Sequence, residues 1–225
     1  MNKEWSDKNK KMQSLIAKEK TFREGIETLI ELRNDLFGQV SSFAKNYPDE
    51  AFYQMPFAGA KGFHSTTLAW SLWHIFRIED VVCHTLILKD SQVLFANNFC
   101  TRIKSPIITT ANELSDEDIV AFSKQADVKE MFAYCQTVAN STNEMLKNLE
   151  YKDLKRKFTE EDKQRLIESK CVSTDESSAW LVDYWCGKNI KGLIQMPFSR
   201  HWIMHVESMD RIKNKLCQQG TTASK

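Results

Sequence analysis

Two histidines stand four residues apart in R-H-W-I-M-H-V-E-S-M-D-R-I, at His201 and His205. On a helix that spacing puts both imidazoles on one face, one turn above the other, where they can share a metal ion. A third histidine, His74, lies far upstream in L-A-W-S-L-W-H-I-F-R-I-E-D. Three imidazoles on a divalent ion leave one coordination position open, as in a reactive metal site. The pattern is not H-E-x-x-H, because Trp202 stands where that motif carries its glutamate. Nor is it the paired Glu-x-x-His of di-iron bundles. The residues predict a mononuclear centre with His74, His201 and His205 as ligands.

Helices must position these side chains, and the apolar spacing supplies them. Leu15, Phe22, Ile26, Leu29, Leu36 and Val40 predict one long amphipathic helix from about Lys8 to about Ala44, with Gly25 a tolerated interruption. A loop carrying Pro48, Pro56, Gly59 and Gly62 follows. Ser65, Thr66 and Thr67 offer N-caps for a second helix to about Leu88, striped by Trp70, His74, Ile78, Val81 and Thr85. Ser115 with Asp118 opens a short helix ending near Lys124. Asp127 with Glu130 opens a third long helix, striped by Met131, Tyr134, Cys135, Val138, Thr142, Met145 and Leu149. The last helix has Pro197 in its first turn and carries His201, His205, Ser208, Ile212 and Leu216 along one stripe. The Thr-rich stretch between Asp90 and Leu114 gives no reading. Tyr151 to Ser178 reads as a short helix with connectors, and Ala179 to Trp185 as buried. The result is an all-α four-helix bundle with a long connection between the third and fourth long helices.

All three histidines occupy inward positions, where an apolar side chain would ordinarily point. Burying a polar ring without a partner costs about 1–3 kcal/mol, so three such rings need a reason that one metal ion supplies. A lone inward histidine is more often a hydrogen-bonded core residue, and a histidine pair four apart is by itself a weak motif. His64 reads as a solvated loop residue or a rim residue of the site. His84, ten residues after His74, falls well round the helix and is excluded. Arg77, Glu79 and Asp80 read as surface charge, or as a carboxylate that accepts the free ring N–H of a ligating histidine; Glu207 is a weaker case of the same. Trp70, Trp73 and Trp202 read as core, or as aromatic walls of a small-molecule pocket.

Composition narrows the partners. Lys+Arg at 31 against Asp+Glu at 30 gives net charge +1, which removes the main electrostatic reason for a nucleic-acid partner. No apolar run reaches the roughly 20 residues of a membrane span, and Met1 to Lys11 lacks the apolar core of a signal peptide. The expectation is a single cytoplasmic domain over residues 1–225. Cys83, Cys100, Cys135, Cys171, Cys186 and Cys217 are dispersed without a C-x-x-C and read as free thiols.

The second-helix sequence L-A-W-S-L-W-H-I-F-R-I-E-D, followed far downstream by H-W-I-M-H, resembles the DinB-like superfamily. That superfamily includes YfiT-type metal-dependent hydrolases and the bacillithiol and mycothiol S-transferases. The resemblance runs from about Lys8 to Leu216, with specific motifs only at the second and last helices. It implies a DinB/YfiT-type four-helix bundle with one long crossover, and a metal triad at His74, His201 and His205. It implies zinc or nickel in the site; ligand chemistry alone also admits iron or cobalt. Residues 151–195 depart from smaller members as an elaboration with extra short helices. The implied function is a metal-dependent thiol S-transferase or hydrolase of a small-molecule substrate, with a low-molecular-weight thiol as co-substrate in the first case. The other reading is a non-catalytic, metal-binding stress-response bundle that acts as a homodimer or through a partner.

Overall fold

The computed structural model describes residues 2–60 and 64–222, with side chains to residue 218. Gly62 lies outside the described residues. Long helices dominate: α1 Lys3–Ile16, α2 Phe22–Asn46, α3 Leu68–Asp80, α7 Val128–Asn148 and α11 His201–Thr222. Between them lie α4 Val93–Ala96, α5 Phe99–Ile103, α6 Asp116–Gln125, α8 Glu160–Glu168, α9 Glu176–Cys186 and α10 Ile190–Gln195. Among the described residues the only extended pairing is an isolated bridge between Lys157 and Asn189. The fold is an all-α bundle.

The expected first helix is broken in two. α1 ends at Ile16, and α2 starts at Phe22 and returns antiparallel, so that Lys8 meets Asp35 and Lys11 meets Glu24. Thr21 Oγ1 donates to the Leu15 carbonyl at 2.8 Å in the reversal. Gly25 is the contact point of this hairpin: a Cβ there would stand 2.6 Å from Ile16 Cγ2 and 2.7 Å from the Ile16 nitrogen. Periodicity cannot detect such a reversal, because the same stripe faces the core in both arms.

The other caps fall where the sequence placed them. Thr67 accepts from the Trp70 N–H, Ser115 from Asp118 and Asp127 from Glu130. α3 continues as a π-helix over Val81–Leu88, and a π-helical turn, Met196–Arg200, leads into α11. α2 packs on α7 and α11, and α3 packs on the same two helices. α2 and α3 therefore face each other across the bundle, as do α7 and α11. Each diagonal is joined by a long connection, residues 47–67 and residues 149–200.

Two apolar clusters fill the core. One holds Leu36, Phe76, Tyr134 and Trp202; the other holds Leu29, Val81, Leu146 and Phe198. Between them lies a buried ionic layer. Arg33 of α2 donates to both oxygens of Glu79 on α3, at 2.7 and 2.8 Å, with Asn143 and the Phe198 carbonyl taking further N–H groups. Trp202 Nε1 donates to Glu79 at 2.7 Å, and the Arg33 guanidinium lies 4.6 Å from the Trp202 ring centroid. The six cysteines are free thiols.

Candidate metal centre

His74 sits two turns into α3, at a position fixed by the Thr67 cap. His201 opens α11, and His205 follows one turn later. All three are buried, at 3%, 7% and 4% exposure. His74 Nε2 and His201 Nε2 are 3.2 Å apart, and one ligand atom from each histidine falls within 4.8 Å of the others. Two nitrogens bound to one tetrahedral zinc at the usual 2.0–2.1 Å stand roughly 3.3 Å apart. The His74–His201 separation is therefore one that a shared ion requires.

The ring states agree. His74 Nδ1 is 2.7 Å from the Thr110 carbonyl. A carbonyl only accepts, so the proton is on Nδ1 and the Nε2 lone pair faces His201. Burial pulls the His74 pKa down to about 4, against the raising effect of that hydrogen bond. Burial, and then the neighbouring histidines, holds His201 and His205 well below the usual histidine range. Neutral imidazoles with lone pairs are what a divalent ion binds. His201 presents Nε2 to His74, and its other ring nitrogen, Nδ1, is buried with no hydrogen-bond partner among the described residues. The donor set fits a mononuclear divalent site.

A backbone rack holds this face of α3. Four consecutive carbonyls accept from its side chains: Ile108 from Arg77 at 2.8 Å, Thr109 from Trp73 at 2.9 Å, Thr110 from His74, and Ala111 from Trp70 at 3.0 Å. Ala111 takes a left-handed backbone, φ 62°, to complete the turn. Trp70 stacks on His74 with centroids 4.4 Å apart and planes 10° from parallel. This support comes from the stretch that gave no sequence reading.

The carboxylate expectations need correction. Glu79 and Asp80 are buried rather than surface charges, and their hydrogen bonds go to groups other than His74 and His201. Glu79 is committed to Arg33 and Trp202. Asp80 accepts from the Val93 and Leu94 N–H groups, from Tyr134 and from Arg77. Arg77, also buried, spends its other donors on the Ile108 carbonyl, Gln92 and Cys171. Glu207 accepts the Asn2 backbone N–H at the start of α1. A backbone carbonyl, not a carboxylate, orients His74.

The triad lines a cavity of about 490 Å³. Trp70 forms part of one wall, while Trp180, Tyr184 and Trp185 of α9 form another. Residues of the 151–195 segment thus line the same cavity as the three histidines. Trp185 is buried as expected, but Trp180 is 52% exposed, which corrects the reading of 179–185 as wholly buried. Trp73 and Trp202 are core residues and do not line this cavity. His64 is half-buried and lines a separate cavity together with residues of α11 such as Ile203.

His84 is outside the site, as expected. Its Nδ1 is 2.6 Å from Asp90, and its Nε2 is 3.0 Å from Ser141 Oγ. That order has the appearance of a hydrolase triad. Ser141, however, lies mid-way along α7, where the helix uses its own backbone N–H groups and leaves none to hold an oxyanion.

No helix among the described residues is long and apolar enough to cross a membrane. Neither a known family model nor a curated protein matches the chain.

Proposed function

We propose that the chain is a metal-dependent enzyme whose mononuclear centre, held by His74, His201 and His205, activates a thiol or a water molecule against a small substrate. The observation that carries this reading is the buried three-histidine cluster in the wall of an aromatic-lined cavity. The resemblance to DinB-like proteins supports the same reading and favours zinc or nickel. Bound there, a divalent ion would act as a Lewis acid and lower the pKa of a water or thiol to near neutrality.

The protein's own contribution is positional. The Thr110 carbonyl fixes the His74 tautomer, and Trp70 fixes its ring plane. The aromatic side chains of α9 supply an apolar lining to the cavity. Two reactions suit the centre. In thiol S-transfer the thiol loses its proton, a sulfur–carbon bond forms, and the leaving group departs with its bonding electrons. In hydrolysis a water oxygen takes the place of sulfur. Among the described residues no fourth histidine, cysteine or carboxylate joins the three-histidine cluster. That favours catalysis over the alternative of a metal-stabilised stress protein acting through dimerisation.

The test is elemental analysis of protein purified without a histidine tag, for wild type and His74→Ala. About one equivalent of metal in wild type and little in the variant is the result expected of a three-ligand site. A wild-type protein that stays metal-free after incubation with zinc or nickel would overturn the proposal.

A further inference from the structure

A second cavity, of about 470 Å³, opens on a different flank of α11 from the one that carries His201 and His205. Ser6, Asn9 and Lys10 line it from α1, and Ile203, Glu207 and Arg211 from α11. Both sets recur at spacings of three or four, so each is one helix face, and the cavity is a groove between two helices. Arg200, the residue before α11, also lines it. Among the described lining residues Lys10, Arg200 and Arg211 are cations at neutral pH, and Glu207 is the sole anion. The lining thus holds a larger positive excess than the whole chain, whose net charge is +1.

These cations are available to a ligand. Neither Arg200 nor Arg211 forms an ion pair with a described residue, and Lys10 meets Asp7 only at 3.8 Å, with both side chains largely exposed. Glu207 is engaged, since it accepts the Asn2 backbone N–H. The buried part of the lining is mixed: Ile203 is apolar, and Ser208 and Asn9 are polar. Asn9 is 8% exposed, and its Oδ1 has no hydrogen-bond partner among the described residues. The protein therefore leaves part of this amide's hydrogen-bonding capacity unused. Guanidinium groups pair with carboxylates through two parallel N–H···O bonds. Arg200 and Arg211 stand about three helical turns apart along the chain, and Lys10 belongs to another helix, so the positive charge is spread along the groove. A ligand whose negative charge is divided over several carboxylates matches that spread. A single phosphate group, which concentrates its charge, does not.

We infer that this groove is a binding site for a small molecule with two or more carboxylate groups, held by Lys10, Arg200 and Arg211, with the Asn9 amide as a further polar partner. The site is separate from the metal centre and does not rest on it. The cavity volume lies within the roughly 300–1,000 Å³ that small-molecule sites occupy, which favours a small polycarboxylate over an acidic protein segment.

Calorimetric titration at low salt tests it with four probes. Benzene-1,3,5-tricarboxylate (trimesate), isophthalate and benzamide carry three, two and no negative charges on one ring; the fourth probe is inorganic phosphate. The meta arrangement keeps the carboxylates from chelating a single metal ion. Each probe is titrated into wild type, into His74→Ala, which lacks a proposed metal ligand, and into His74→Ala that also carries Arg200→Gln and Arg211→Gln. Trimesate should bind about threefold tighter than isophthalate, the scale of a partly exposed ion pair, with benzamide and phosphate weakest. That ranking should hold in His74→Ala, because the groove needs no metal, and added salt should weaken trimesate by screening. The two arginine substitutions together should weaken trimesate about tenfold. The inference is overturned if trimesate does not bind His74→Ala, or if phosphate or benzamide equals it there. It also fails if the arginine substitutions leave trimesate binding unchanged. Metal content, read on the wild-type and His74→Ala samples, tests the metal centre separately. Should His74→Ala fail to fold, chelator-treated wild type, with and without the arginine substitutions, takes its place.

Discussion

His74 Nδ1 and the carbonyl oxygen of Thr110 are 2.7 Å apart, and this contact presents Nε2 to His201. Trp70 reinforces it twice, by stacking on the His74 ring and by donating to the next carbonyl, at Ala111. Groups that orient a metal ligand are typically worth about 10–100-fold in metal affinity. Trp70→Phe keeps an aromatic ring but loses the N–H. We expect it to fold and to bind zinc at least about tenfold more weakly than wild type, as read by competition with a chromophoric chelator. Unchanged affinity would show that the carbonyl rack does not tune the centre.

Metal binding should also be visible as stability. An ion bound only by the folded chain stabilises it in proportion to the logarithm of one plus the ratio of free ion to Kd, about 2.7 kcal/mol at a hundredfold excess over Kd. Treatment with a strong chelator should therefore lower the Tm of wild type. His205→Ala should lose its metal, keep most of its helix content by circular dichroism, and show no chelator effect on Tm. A chelator shift of equal size in both proteins would contradict the triad.

The Arg33–Glu79 pair makes a different prediction. Both side chains are at most 1% exposed, and the two helices that carry them oppose each other across the bundle. Desolvation makes such a pair a weak net contributor, yet removing one partner strands a buried charge at a cost of about 3–5 kcal/mol. Arg33→Met and Glu79→Leu should each lower the free energy of unfolding in urea by that order. The double variant should lose far less than the sum. Additive losses would mean that the two charges do not sense each other.

The bundle was legible because its signals are local. Thr67, Ser115 and Asp127 cap the helices that their sequences announce, and the stripe from Met131 to Leu149 is buried as its spacing implies. The triad was legible because histidines at core positions are conspicuous. The rack from Ile108 to Ala111 was not, since every residue has a carbonyl and only the fold decides which ones aim at α3. Glu79 and Asp80 read as surface charge because their partners are distant in sequence: Arg33 lies 46 residues from Glu79, and Tyr134 lies 54 from Asp80. The α1–α2 reversal was hidden because neither proline nor glycine marks the turn itself, while the glycine that matters stands in the facing arm.

That glycine can be tested. In a solvated helix Gly→Ala is worth up to about 1 kcal/mol of added stability. At Gly25 the new methyl group would meet the Ile16 side chain and also its backbone nitrogen at 2.7 Å, which cannot swing aside. Overpacking of this kind costs about 1–3 kcal/mol. Gly25→Ala should therefore destabilise the protein, and Gly38→Ala, where a Cβ meets nothing within 4 Å, should not. A stabilised Gly25→Ala protein would argue against the close crossing of α1 and α2.

Asp162, buried at 2% exposure, predicts a measurable acid response. Burial alone would raise its pKa; the Lys89 hydrogen bond, the Thr159 backbone N–H and Arg165 outweigh it and bring the value down to about 2, from an ordinary 3.8. A carboxyl depressed in the folded state stabilises the protein fully above its unfolded pKa near 4, and that contribution is lost as pH falls towards 2. About 1 kcal/mol of it should disappear between pH 5 and pH 3. Asp162→Asn cannot titrate, so the stability gap between wild type and this variant should narrow over that interval. The gap is to be read from urea unfolding in chelator-treated protein, so that loss of metal at low pH does not contribute. A constant gap would mean that Asp162 keeps an ordinary pKa and that its contacts with Lys89 and Arg165 do not hold the carboxylate in its charged form.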